Sequence, residues 1–187
     1  MAKIITFSGR ARSGKNACAT MIKGGLEKQG LRCMEMAFAD YLKVLVSKNF
    51  DCDPEDKLGS RELLQKWGTD VIREIDPDFW VKIVSMTIDL LQDEFDVFIL
   101  TDARFENELN HDVFDKKYPI YNVLVQRDNL SGLSDEELCH KSEQLADSNT
   151  DLFDCIIRND GDLLDLEDLC WEYIRYFADW FRKENAA

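Results

Sequence analysis

The 187 residues carry 23 Lys and Arg against 37 Asp and Glu, a formal net charge of -14, with 45% hydrophobic and 32% charged side chains. That is the length of one ordinary domain and a globular composition, which excludes disordered and collagen-like classes. The acidic balance speaks against a generic nucleic-acid binder, and no apolar run approaches the roughly 18 residues that span a bilayer.

The opening MAKIITFSG lacks the long apolar region and cleavage site of a signal peptide, so the sequence implies a soluble, cytoplasmic protein. Cys18, Cys33, Cys52, Cys139, Cys155 and Cys170 lie far apart with no CxxC, and only His111 and His140 accompany them. The cysteines are therefore read as small buried hydrophobes, not as a zinc site or a disulfide framework.

In chain order, Lys3–Ser8 is a short apolar strand and residues 15–29 a helix. A second strand spans Arg32–Phe38, followed by a helix over Tyr41–Phe50. Arg61–Ile75 and Phe79–Leu91 have helical apolar spacing, separated by Asp76-Pro77. Asp96–Leu100 is a compact buried strand, Glu106–Lys117 a helix, Ile120–Gln126 a strand and Asp135–Gln144 a short helix. Phe153–Arg158 makes the fifth strand and Leu163–Arg182 a closing helix, whose aromatic residues are read as packing on the sheet or a dimer contact. Apolar strands alternating with helices imply an α/β fold whose parallel sheet is covered on both faces. Ligands in such folds bind beyond the carboxyl ends of the strands, here after Ser8, Phe38, Leu100, Gln126 and Arg158.

Directly after the first strand comes Gly9-Arg10-Ala11-Arg12-Ser13-Gly14-Lys15-Asn16, which fits GxxxxGK with Asn in place of Ser or Thr. Glycines let consecutive backbone N–H groups converge on phosphate oxygens, the lysine reaches the terminal phosphates, and the helix N-terminus adds its dipole. Where a hydroxyl normally binds Mg²⁺, Asn16 offers an amide oxygen, a poor direct ligand or a holder of a metal-bound water. Arg10 and Arg12 either neutralise phosphates or are solvated.

A second constellation gathers Asp40 and Lys43 after the second strand, then Arg61, Gln65, Trp67, Thr69, Asp70 and Arg73 in RELLQKWGTDVIRE, and Trp80 in DPDFWV. Asp102, Arg104, Phe105, Asn107 and Glu108 stand at the end of the third strand. Arginine forks suit bidentate phosphate binding, while Gln, Trp and Phe suit the edge and face of a base. Salt bridging and core packing compete with those roles at each single residue. Asp102 reads as a carboxylate that holds Mg²⁺ through water or takes a proton, or as a cap for the next helix.

The segments GRARSGKN, FADYLK, RELLQKWGTDVIREIDPDFWV, TDARFENE and HKSE together resemble the phage-type deoxynucleoside monophosphate kinases, over roughly residues 1–160. The resemblance implies a three-layer P-loop NTPase fold: a five-stranded parallel sheet flanked by helices, with nucleotide-binding helices and a small lid. It implies one kinase domain over 1–187, its acceptor-binding insertion at about 39–95 and its lid at about 127–147. The donor loop would then be Gly9, Arg10, Arg12, Ser13, Gly14, Lys15, Asn16 and Ala17, with ATP and Mg²⁺ as cofactors. The acceptor set would be Asp40, Lys43, Arg61, Gln65, Trp67, Thr69, Arg73, Trp80, Asp102, Arg104, Phe105 and Glu108. The family's acidic residue and threonine after the loop lysine are here Asn16 and Ala17.

Arg127, directly after the fourth strand, is the candidate for bridging charge between donor and acceptor, alongside Lys15 and Asp102 as the catalytic set. His140, Ser142 and Glu143 resemble the family's HxSE lid motif, with capping or salt bridging as the competing role. Asn159-Asp160-Gly161 reads as a turn, which the resemblance places beside the donor base. The expected partners are small nucleotides, ATP and a deoxynucleoside monophosphate, with no membrane or nucleic acid, in a monomer or homodimer located in the host cytoplasm if phage-encoded. The rival readings are a kinase for another acceptor, such as a modified base in DNA, and a non-catalytic nucleotide-binding module.

Overall fold

The computed structural model describes residues 1–50, 53, 59–110, 112, 114, 116–128, 145 and 150–184, without the side chains of Arg61 and residues 182–184. Five strands, β1 (Lys3–Ser8), β2 (Cys33–Met36), β3 (Val97–Ala103), β4 (Ile120–Gln126) and β5 (Cys155–Arg158), form one sheet in the order β2-β3-β1-β4-β5. Each recorded pairing is parallel. The order places β1, buried at all six of its residues, in the centre. Alternation along β1 sends Ile4 to one face and Ile5 and Phe7 to the other.

On the Ile4 face lie α2 (Asp40–Asn49) and α5 (Phe79–Leu91), which supply Leu42, Val46, Trp80, Val81, Val84 and Ile88 to a core completed by Phe98 and Leu100. On the opposite face α1 (Lys15–Lys28) and a long C-terminal helix, α6 (Leu163–Glu184), bury Cys18, Ile22, Leu26, Cys170, Ile174 and Phe177 against Val123 and Val125. Full burial of a Phe or Leu side chain contributes about 1.5–3 kcal/mol, so the two layers account for a sheet without a wet face. Cys18, Cys33, Cys155 and Cys170 are free thiols, and burial pushes Cys33 and Cys155 up to about 12, as expected of packing residues.

Two segments depart from their periodicity. Residues 61–75 form not one helix but α3 (Arg61–Gln65), a π-helical turn (Lys66–Val71) and α4 (Ile72–Ile75). The wider turn lets the Gly68 carbonyl accept from Trp80 Nε1 at 2.9 Å, a bond across to α5 that local spacing does not encode. The helix expected over Glu106–Lys117 is cut to a 3-10 turn at Glu106–Glu108. Glu108 faces inward instead of along a helix surface, Asn110 Oδ1 accepts from the Asp112 amide at 2.9 Å, and Lys116 takes a left-handed φ of 51°. The expected helix at Asp135–Gln144 lies outside the described residues. No helix among the described residues is long and apolar enough to cross a membrane.

Candidate active site

Because the strands are parallel, the residues that follow them gather on one edge of the sheet. Ser8 pairs with Ala103 on one side and Leu124 on the other, and Gln126 with Arg158. The phosphate loop, Asp102, Arg127 and Asn159 therefore share that edge, where parallel sheets bind ligands.

The loop has the backbone of an anion cradle. Gly9 (φ 142°), Arg12 (φ 66°) and Gly14 (φ 98°) all have positive φ, so the chain alternates hand within six residues. A Cβ on Gly9 would lie 2.2 Å from the Val125 carbonyl oxygen, and one on Gly14 2.3 Å from Asn159 Nδ2. No other residue fits either place. Arg12, which has a Cβ, holds its conformation at a cost of about 1–3 kcal/mol, a strain found at functional loops. Lys15 is buried and its ammonium donates to the Arg10 carbonyl at 2.8 Å, folding the side chain over the loop. Ser13 Oγ is buried with no hydrogen-bond partner among the described residues. Asn16 is exposed on the first turn of α1, and Ala17 is half-buried behind it.

Asp102 owes its aim to a slip in the sheet. β1 and β3 pair Thr6 with Leu100 but Ser8 with Ala103, so two β3 residues face one of β1. Strict alternation would set Asp102 beside Phe98 and Leu100; the extra residue hands that place to Ala103 and frees Asp102 at the edge. Ser8 Oγ closes the slip by donating to the Ala103 carbonyl at 2.7 Å. Asp102 Oδ1 and Oδ2 then accept from the amides of Phe38 (2.7 Å) and Ala39 (3.1 Å), at the entry to α2. Desolvation raises the Asp102 pKa, opposed by these amides and by the nearby charge of Arg104. Asp40, exposed, reaches back to accept from the Ala37 amide at 2.7 Å, and half-buried Lys43 follows on α2.

Glu108 is the second hub. It is buried, Oε2 accepts from the amides of Arg104 (2.6 Å) and Phe105 (3.1 Å), and Oε1 pairs with the Arg73 guanidinium. Arg73 also lies 3.9 Å above the Phe105 ring and donates to the Pro77 carbonyl at 3.1 Å. Asn107 Nδ2 donates to the same carbonyl (2.9 Å) and to Asp78 (2.8 Å). Desolvation, reinforced by Asp102 and opposed by Arg73, leaves Glu108 raised to about 7.

The structure thus unites the RELLQKWGTDVIRE, DPDFWV and TDARFENE segments, with different roles for their members. Arg73 and Glu108 hold each other in the wall. Trp80 is in the core with its indole N–H on Gly68. Gln65, Trp67 and Thr69 are half-buried around the π turn, and Trp67 packs on Phe50 at 5.4 Å. Arg104 and Phe105 are half-buried at the β3 exit. Arg127 is exposed after β4, its guanidinium 3.4 Å from the Gly161 carbonyl. His140, Ser142 and Glu143 lie outside the described residues.

Residues 26–169 match the family model for deoxynucleotide monophosphate kinase, which is more than half of the chain. The chain belongs to that family. As a member of the deoxynucleotide monophosphate kinases it is a phosphotransferase, and the matched stretch takes in both hubs but begins beyond the phosphate loop. The fold is similar to that of an APS kinase of Mycobacterium tuberculosis solved with AMPPNP and APS, at 12% identity and a TM-score of 0.52, covering 93% of this chain and 96% of the other. A sugar kinase from a Janibacter species gives 12% identity and a TM-score of 0.52, covering 94% and 95%. No curated protein matches the chain.

Sequence reasoning missed the tie between Asn159 and the loop. The resemblance set the Asn159-Asp160-Gly161 turn beside the donor base but not against the loop: the Asn159 side chain is buried and Nδ2 donates to the Ser13 carbonyl at 2.8 Å.

Proposed function

We propose that this kinase transfers the terminal phosphoryl group of ATP to a deoxynucleoside 5′-monophosphate. The bond from the terminal phosphorus to the bridging oxygen breaks, ADP leaves with the electron pair, and an oxygen of the acceptor phosphate forms the new P–O bond. A phosphate oxygen is nucleophilic enough to need no strong base, so catalysis is positioning and charge neutralisation. The observation that carries this reading is the left-handed glycine loop on the same sheet edge as Asp102, beside the family's interlocked acceptor segments.

In this reading Gly9–Ala17 is the donor site, and Lys15 exchanges its bond to Arg10 for the donor phosphates. Residues 39–95 would form the acceptor region, where Lys43, Gln65, Trp67, Thr69, Arg104 and Phe105 would meet the nucleotide and Asp102 and Glu108 hold the walls; the Arg61 side chain, expected there too, lies outside the described residues. Arg127 would neutralise charge between the two phosphates, and the closing segment expected at 127–147 lies mostly outside the described residues. Mg²⁺ fits this donor set with mostly phosphate and water ligands: no group of three or more His, Cys, Asp or Glu converges among the described residues. Asn16 and Asp102 would hold its waters, and the ion would supply neutralisation of the phosphate charge.

The test is ADP release with Mg-ATP against each of the four deoxynucleoside monophosphates, their ribose counterparts and duplex DNA. Turnover on a deoxynucleoside monophosphate is expected; ADP release only with DNA would move the acceptor to a polymer.

A further inference from the structure

The turn after β5 touches the phosphate loop, and the contact has a direction. Asn159 Nδ2 donates to the carbonyl oxygen of Ser13 at 2.8 Å. That carbonyl shares a planar trans peptide with the Gly14 N–H, which must point the opposite way. Fixing the one fixes the other. Asn159 is itself held: it is 4% exposed, and its own amide donates to the Gln126 carbonyl at 2.8 Å, tying the β5 exit to the β4 exit. The next residues continue the clamp, since Asp160 Oδ1 accepts from the Asp128 amide at 2.8 Å and the Gly161 carbonyl faces Arg127 Nη2. The fit is tight from the loop's side too, because any Cβ at Gly14 would strike Asn159 Nδ2.

We propose that Asn159 is a positioning residue for the phosphate loop: its side-chain amide orients the Ser13–Gly14 peptide so that the Gly14 N–H is presented to the donor phosphates before they arrive. Preorganised donors need no reorientation on binding, which is where a buried backbone N–H gains its strength toward an anion. The proposal rests on the reading of Gly9–Ala17 as the donor site and adds the residue that sets its geometry.

The experiment uses the full chain with Asn159→Ala and Asn159→Asp, the latter preserving volume while removing the donor. Calorimetric titration with Mg-ATP, without acceptor, is read beside the KM for ATP and for the best deoxynucleoside monophosphate. Loss of one hydrogen bond to a buried carbonyl predicts roughly tenfold weaker Mg-ATP binding in Asn159→Ala, and a larger loss in Asn159→Asp. The acceptor KM should stay within about twofold, a split that a merely structural role would not give. Equal binding of Mg-ATP by wild type and both variants would overturn the proposal, as would equal weakening of donor and acceptor. Failure of both variants to fold overturns it as well, making Asn159 a requirement of the fold. If the wild type binds Mg-ATP but phosphorylates no deoxynucleotide, the acceptor reading falls while the titration still decides Asn159. If the wild type does not bind Mg-ATP, both fall.

Discussion

The Asp102 carboxylate accepts from the Phe38 amide at 2.7 Å, joining the exit of β3 to the entry of α2. One side chain thereby anchors the segment that opens the proposed acceptor region. Asp102→Asn keeps the shape but turns one acceptor into an N–H donor facing a backbone N–H. We expect a loss of about 1–3 kcal/mol in stability and a kcat/KM lower by roughly 10²-fold or more. Denaturant titration and the coupled ADP assay check these; wild-type kinetics in Asp102→Asn would remove Asp102 from the site.

Glu108 makes stability depend on pH. Its carboxyl is raised from 4.5 to about 7 by burial, so the folded state holds a proton that the unfolded chain has released. The stabilisation is therefore complete below about pH 4.5 and is lost as pH rises through about 7. Relative to Glu108→Gln, wild-type stability should fall across that window by up to about 3 kcal/mol and level off above it. The ion pair with Arg73 forms only where Glu108 is ionised, and its effect is already contained in the folded-state shift, so it adds no separate offset between the two curves. Parallel melting curves from pH 4.5 to 8 would contradict the shift.

Lys15 places a positive charge in the proposed donor loop. Lys15→Ala should lower kcat/KM by at least about 10²-fold while the circular dichroism spectrum and the acceptor KM stay near wild type. Retention of most activity would separate the loop from the donor.

Trp80 tests core against ligand. Trp80→Phe removes the indole N–H and its bond to the Gly68 carbonyl, at a cost of about 0.5–1.5 kcal/mol. Melting temperature should drop by several degrees with the acceptor KM within about twofold. A tenfold rise in that KM at unchanged melting temperature would return Trp80 to the nucleotide site.

What the residues alone determined was whatever is written in short-range pattern. Lys3–Ser8, Ile120–Gln126 and Phe79–Leu91 have the bounds their periodicity gives, and GxxxxGK lies at the strand-to-helix joint that its chemistry requires. Periodicity and turn chemistry depend on neighbours a few positions away, so they survive in one dimension. The tertiary structure decided what depends on partners far along the chain. The slip between Thr6 and Ser8, which turns Asp102 toward Phe38, is a property of two paired strands. The π turn is tied to Trp80, and Glu108 is turned inward to Arg73, 35 residues earlier. Asn159 serves a carbonyl 146 residues away. The contacts of Asp102, Trp80, Glu108 and Asn159 are made in buried or partly buried surroundings, where a polar group must find its partner wherever the fold brings one within reach.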